Sequence, residues 1–378
     1  MVDYLSIFFI AFIISALITF PVKRLALKLN AVDHPTERKV HTKPIPRLGG
    51  VAIFIGFAAS MAFQLSKQIS NPSESFDFNI SELSGIFLGA TLILIIGVID
   101  DIIELPPIAK FAGQISAASI LVAFGIRMEF IGNPFSGGVI YLGNVGVVLT
   151  IIWVVAFINI INFIDGLDGL AAGIAAIAAL SFAFFAFDTG QLTTAIISIA
   201  IVGSTLGFLG HNFNPAKIFM GDSGSMFLGF LFGAITVGGV MKSIAAISLF
   251  APLIIMGVPI LDGALAILRR YRDGQPVTQA DRDHLHHRLL RRGFTQRQAV
   301  SIIYLWSIAL SAFGLTLRIS PSTQKYLIIL FMLFLSYLFA EFIGIFEVFS
   351  NGKHAKKKGQ KAVGEDSRSD EREVKIKE

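Results

Sequence analysis

Apolar runs of about 20 residues recur from one end of this chain to the other, and few folds accommodate them. A bilayer core roughly 30 Å thick is crossed by about 20 apolar residues in a helix. Inside it every backbone N–H and C=O must be bonded within the structure, which favours helices for runs of this length. About eleven runs meet the length criterion. They lie near Tyr4 to Phe20, Leu48 to Leu65, Leu83 to Ile99, Ile108 to Gly125, Val145 to Ile161, Leu170 to Phe187, Leu192 to Leu209, Ser225 to Val240, Ile244 to Leu268, Val300 to Leu317 and Tyr326 to Val348. Of the 378 residues 54% are hydrophobic and only 15% charged, which excludes an ordinary soluble domain. The expected fold is all-α, a polytopic integral membrane protein with about eleven transmembrane helices.

Charge sets the expected orientation. The first run is preceded by Asp3 and followed by Lys23, Arg24 and Lys28, the order of a retained anchor with its N-terminus outside rather than of a secretory signal. With alternating spans, 26 of the 31 Lys and Arg fall on inside segments, and Lys67, Arg127, Lys242, Arg318 and Lys325 are the remainder. The C-terminus is then inside. The net charge of +5 reads as basic residues gathered beside an anionic inner leaflet, and nucleic acid is not needed to explain it. Without cysteine, disulfides and thiolate metal sites are excluded. Residues 1–349 form one membrane domain, and 350–378 read as a charged, disordered cytoplasmic tail. Gly169/Gly173, Gly203/Gly207 and Gly229/Gly233 have the spacing of close helix packing.

Four inside segments carry polar groups that a span does not need. "GVIDDIIELPP" brings Asp100 and Asp101; "NIINFIDGLDG" brings Asn159, Asn162, Asp165 and Asp168; "GHNFNPAKIFMGDSGS" brings His211, Asn212, Lys217 and Asp222. "DRDHLHHRLLRRG" brings Asp281, Asp283, His284, His286, His287 and Arg288. A charge at membrane depth costs at least about 2.5 to 3.5 kcal/mol, and acids converging from several spans repel one another unless a cation sits between them. A hard divalent ion such as Mg²⁺ does so with one or two carboxylates, waters and substrate phosphates. Steps of three residues each drift about 60° around a helix, so Asn159, Asn162 and Asp165 share a broad face. Asp168 joins them only if the helix breaks, which Gly166 and Gly169 allow. A break would leave backbone N–H groups at the start of the next helix, suited to a phosphate; Asn159 serves equally well to glue helices. Imidazoles and guanidiniums beside such acids suit phosphate better than zinc, for which no HExxH motif is present. No P-loop, dinucleotide fingerprint or EF-hand occurs.

"GVIDD", "NFIDGLDGLAAG", "FMGDSGS" and "HLHHRLL", in this order, resemble the polyprenyl-phosphate N-acetylhexosamine-1-phosphate transferases, and the resemblance spans residues 1–348. The first loop, "ERKVHTKPIPRLGG", looks like the branch that starts teichoic acid or other surface polysaccharide synthesis. The peptidoglycan branch, phospho-MurNAc-pentapeptide translocase, has Pro-Thr-Met-Gly-Gly where this chain has "PRLGG" and three consecutive histidines where this chain has His284, Leu285, His286 and His287.

The resemblance implies a Mg²⁺-dependent glycosyl-1-phosphate transferase, with Mn²⁺ as substitute ion, at a bacterial plasma membrane and with its active site facing the cytoplasm. GlcNAc-1-phosphate would pass from UDP-GlcNAc to undecaprenyl phosphate, giving undecaprenyl-diphospho-GlcNAc and UMP; a homodimer is the oligomer to test. By the same resemblance Asp222 is a metal ligand, with Asp100 and Asp101 beside it at the lipid phosphate, and Lys110 a phosphate contact. Asn162, Asp165, Asp168, Asn212 and Phe219 would line a uridine pocket, with Phe219 stacked on the base. His284, His286, His287 and Arg288 would face the sugar and diphosphate. Asp100 acts either as a base or as an organiser of metal and lipid phosphate. The alternatives are the pentapeptide translocase and, from another class, a secondary transporter, which would hold its acids near the bilayer midplane.

Overall fold

A computed structural model describes residues 3–35, 43–70, 80–132, 138–239, 250–272, 274, 284–320 and 322–344. The tail from 350, first-loop residues 37–42, Asp281 and Asp283 lie outside the described residues. Among those described, the helices are α1 Tyr4–Lys28, α2 Gly49–Ser70, α3 Ile80–Ile103, α4 Pro107–Ala123, α5 Val145–Ile164, α6 Leu170–Thr189 and α7 Leu192–Asn212. They continue with α8 Gly221–Gly238, α9 Phe250–Ile255, α10 Gly257–Arg272, α11 Leu285–Arg291, α12 Gln296–Ile319 and α13 Ser322–Ile343. Two antiparallel pairs complete them: β1 Val32–Asp33 with β2 Ile45–Pro46, and β3 Phe130–Gly132 with β4 Val139–Tyr141.

Among the described residues eight helices, α1, α2, α3, α5, α6, α7, α12 and α13, are long and apolar enough to cross a bilayer. Three of the eleven expected runs fall outside that set. Helix α4 is a shorter apolar helix of 17 residues, and α8 opens on the polar "GDSGS". The ninth run is divided, α9 stopping at Ile255 and α10 starting at Gly257. Pro259 falls in the first turn of α10, where a missing N–H costs nothing.

The chain divides into two compact units, Met1–Ser320 and Pro321–Glu378. In the second, α13 is an apolar helix with most of its described side chains exposed. In the first, α6, α7 and α8 form the buried centre, with α1 against α7, α5 and α3 against α8, and α12 against α6.

Small residues permit these approaches. Gly203 and Gly207 lie against the backbone of Phe8 and Phe12 in α1, and Gly229 and Gly233 against Ile158 and Val154 in α5, as their spacing leads one to expect. Gly169 departs from that pattern. It is the left-handed N-cap of α6, φ +78, and marks the break between α5 and α6.

Two further glycines position the site. A side chain on Gly50 would collide with the backbone of Gly224, and one on Gly97 with that of Ser223. Their absence lets α2 and α3 close on the first turn of α8. Gly49 N–H then donates to Phe219 O (3.0 Å) and Gly50 N–H to Met220 O (2.9 Å).

Candidate functional site

Because α3 ends where α8 begins, Asp101 meets the N-terminal turn of α8. Its Oδ1 accepts from Asp222 N–H (2.9 Å) and its Oδ2 from Ser223 N–H (3.1 Å). First-turn N–H groups have no partner within their own helix, so a carboxylate from a distant helix supplies the cap and fixes where Asp222 stands. Asp100, one residue earlier, faces the side chain of Asp222 instead of the backbone of α8. Its Oδ1 accepts from Leu105 N–H (2.7 Å) and its Oδ2 takes Lys110 Nζ (2.5 Å). The same ammonium reaches Asp222 Oδ2 at 2.9 Å, so Lys110 bridges the ends of α3 and α8. Asn162 of α5 donates to Asp222 Oδ1 (3.0 Å) and to Ser225 Oγ (2.9 Å). Asp100, Asp101, Lys110 and Asp222 are therefore one cluster, and Asn162, expected to line a uridine pocket, is instead joined to it through the Asp222 carboxylate.

The cluster borders a cavity of about 900 Å³. Asp101, Asp165, Asp168 and Asp222 line it together with Phe219 and His287, while Lys23, Lys43, Arg47 and Lys217 contribute positive charge. Asp165 follows the last turn of α5, and its carboxylate accepts no hydrogen bond among the described residues. Burial, with the neighbouring charges of Asp222, Asp101 and Asp168, pushes its pKa up to about 8. Crowded acids of this kind call for a cation.

No three acidic or imidazole side chains converge as a ready-made metal cage among the described residues. The donor set nonetheless suits a hard ion that uses one or two carboxylates and completes its shell with water and phosphate. Asp222 and Asp165, which both line the cavity, and Asp100, whose carboxylate faces Asp222, are the residues that could hold it. Lys110 occupies the place of a cation between Asp100 and Asp222, and Asp101 is engaged as the cap of α8.

The break between α5 and α6 is held from two sides. Gly169 N–H donates to Asn212 Oδ1 (3.0 Å), and its carbonyl accepts from Tyr304 Oη (2.5 Å). Leu170 N–H bonds back to Leu167 O. The start of α6 is thus less open to a phosphate than the sequence suggested. Asn212 is buried, and its Nδ2 donates to Ile218 O (2.9 Å); both amide atoms shape the pocket wall. Asp168 Oδ2 accepts from Asn214 Nδ2 (2.9 Å) and Ala216 N–H (3.0 Å), fastening the segment that leads to Phe219. Asn159 binds Gln114 Oε1 and Val155 O, which is the helix-gluing role.

The histidines separate. His287 lines the cavity, whereas His284 and Arg288, expected to face the sugar and diphosphate, are buried and do not line it. His286 is packed against Gly166. Its Nε2 is buried with no partner among the described residues, and burial with the adjacent His287 lowers its pKa to about 3, so it stays neutral.

Sequence reasoning missed Asp262, which holds His284, and Tyr304. Asp262 had a signal: an acid inside a run read as a span is costly without a partner. Tyr304 had none, since one tyrosine in an apolar helix is ordinary.

Residues 83–240 match glycosyl transferase family 4. The chain is 38% identical over 340 residues to the probable undecaprenyl-phosphate N-acetylglucosaminyl 1-phosphate transferase of Bacillus subtilis (strain 168), a match covering 89% of this chain and 92% of that one. It is 41% identical over 326 residues to the decaprenyl-phosphate N-acetylglucosaminephosphotransferase of Mycolicibacterium smegmatis, with 80% and 79% covered. The undecaprenyl-phosphate alpha-N-acetylglucosaminyl 1-phosphate transferase of Yersinia pestis is 29% identical over 311 residues, with 80% and 81% covered.

Proposed function

The chain belongs to glycosyl transferase family 4, the polyprenyl-phosphate N-acetylhexosamine-1-phosphate transferases, and from that premise we propose that it moves GlcNAc-1-phosphate from UDP-GlcNAc onto undecaprenyl phosphate. The observation that supports this most is the convergence of Asp101, Asp165, Asp168 and Asp222, from three separate segments, on a cavity that also carries Lys23, Lys43, Arg47 and Lys217. Such a cavity can receive a nucleotide diphosphate together with the cation that accompanies it. The names of the relatives support the acceptor and the sugar. The product, undecaprenyl-diphospho-GlcNAc, would start a cell-wall polymer such as teichoic acid. The bias of Lys and Arg toward one set of loops favours a plasma-membrane site open to the cytoplasm.

In this reading an oxygen of the lipid phosphate attacks the phosphorus that bears the sugar. A new P–O–P bond forms, the bond from that phosphorus to the bridging oxygen breaks, and UMP leaves with the oxygen. Such transfer depends on positioning and charge neutralisation more than on covalent chemistry by the protein. Asp222 and Asp165 would hold Mg²⁺, which when bound offsets negative charge on the diphosphate. Lys110, held by Asp100 and Asp222 beside the cavity, would meet a phosphate oxygen that reaches Asp222. Asp100 acts as its organiser, because both its oxygens are occupied and a lipid phosphate needs little help from a base. Phe219 on the cavity wall offers a face for the uracil ring, and the basic residues favour the anionic donor over neutral sugars.

The test is UMP release by purified protein in detergent, with undecaprenyl phosphate and Mg²⁺, comparing UDP-GlcNAc with UDP-MurNAc-pentapeptide. Metal-dependent release from UDP-GlcNAc alone is expected, with Asp222→Asn lowering it at least about 100-fold. Release from the pentapeptide donor alone would assign the chain to the peptidoglycan branch. No release from either donor, with active acceptor, would defeat the reading.

A further inference from the structure

Asp262 is 2% exposed on α10, in the middle of the divided ninth run. A buried carboxylate persists only if its oxygens are well bonded, and here both are engaged by one short stretch of chain. Oδ2 accepts from His284 Nδ1 (2.9 Å) and Oδ1 from Leu285 N–H (2.9 Å). His284 is the N-cap of α11 and makes no side-chain cap bond of its own. Asp262 therefore caps α11 from a neighbouring helix and fixes the imidazole of its cap residue in the same contact. The carboxylate also sets the His284 tautomer, since an acceptor at Nδ1 requires the proton there.

The consequence passes along α11 to the cavity. The His284 ring lies parallel to that of His286, centroids 5.7 Å apart, and the His286 ring lies 4.3 Å from that of His287. His286 abuts Gly166 at the break after α5, and His287 lines the cavity. We propose that Asp262 is a positioning residue of the transfer site: by docking His284 and Leu285 it holds α11 so that His287 stands on the cavity wall. The inference rests on the transfer reading above and adds a residue with no contact to the cavity. A carboxylate placed behind an imidazole orients it; for a metal-bound histidine losing such support costs about 10- to 100-fold, and the same scale is expected for a histidine docked behind the cavity wall.

Asparagine distinguishes docking from charge. Its amide oxygen accepts from Leu285 N–H and its NH₂ donates to Nδ1 of the other His284 tautomer, so Asp262→Asn retains the dock that Asp262→Ala loses. UMP release from UDP-GlcNAc is measured for wild type, both variants, His287→Ala and the double variant Asp262→Ala/His287→Ala, with the melting temperature of each. Asp262→Ala is expected to lower kcat about 10- to 100-fold, Asp262→Asn to recover most of it, and Asp262→Ala to cost nothing further once His287 is gone.

A wild-type rate in Asp262→Ala, or losses that multiply in the double variant, would overturn the proposal. Should Asp262→Ala unfold, His284→Ala, which removes one of the two bonds, takes its place in the same cycle with the same expected result. An active wild type with unaffected Asp262 and His284 variants defeats this inference alone. A wild type inactive with every donor defeats the transfer reading and the inference with it.

Discussion

The acid wall and the histidine helix reach the same cavity, but they are held there by different means. On the acid wall every carboxylate but that of Asp165 is also a structural fastener. Asp101 caps α8, Asp168 fastens the segment from Asn214 to Ala216, and Asp100 and Asp222 share Lys110. The histidine helix has seven residues, and its first turn is bonded to α10 through Asp262. Chemistry and stability are thus merged in the acids, whereas at the histidines the residue that docks and the residue that faces the cavity are distinct. Variants of the acid wall should change folding and turnover together, and variants of the histidine helix should separate them.

Asp101→Ala gives the hardest test of that contrast. It leaves two first-turn N–H groups of α8 without a cap, at about 1–3 kcal/mol for each buried group left unsatisfied, and frees Asp222 to move. A marked drop in melting temperature and near-complete loss of UMP release are expected in one variant. An inactive protein with unchanged melting temperature would break the comparison, because Asp101 would then act in the chemistry alone.

A smaller effect should appear with pH. The pKa of Asp165 is raised from 3.8 to about 8, so between those values the folded chain holds a proton that the unfolded chain has released. The stability linked to this group is full below 3.8 and lost as pH rises through about 8. Metal-free protein should melt at progressively lower temperature across that window. Asp165→Asn should flatten the decline, and added Mg²⁺ should oppose it by favouring the ionised form. A decline of equal slope in Asp165→Asn would assign the effect to other groups.

The smallest effect is expected at Tyr304→Phe, which removes one bond to the Gly169 carbonyl while the ring still packs against Gly173. Loss of a single hydrogen bond is worth about 0.5–1.5 kcal/mol. A slight fall in melting temperature and a modest rise in KM for the donor would show how finely the α5–α6 break is set.

Much of this was legible in the sequence. The apolar runs anticipated the helices, the doubtful ones being α4, α8 and the divided pair α9 and α10, and the acids expected to cluster do so. The break near Gly166 and Gly169 was legible as well, because a left-handed residue there suits glycine. The partners of each acid were not legible. Nothing in "GVIDD" tells which of two adjacent carboxylates caps the backbone of α8 and which takes Lys110, since both sit in the last turn of one helix. The histidine motif likewise gave three imidazoles and no means of telling that one of them lines the cavity.

What the sequence by itself determined was the class of fold and the level at which the polar groups stand along the helices. Bare backbone and unpaired charge are so costly in hydrocarbon that run length and polarity decide both. What only the tertiary structure decided was the assignment of each polar atom. Glycines at 50 and 97 let α2 and α3 close on α8, which places Asp101 within hydrogen-bond reach of Asp222 and Ser223, and the divided run brings Asp262 to His284. Hydrogen bonds act over about 3 Å and in fixed directions, so their partners are set by how helices distant in sequence approach one another.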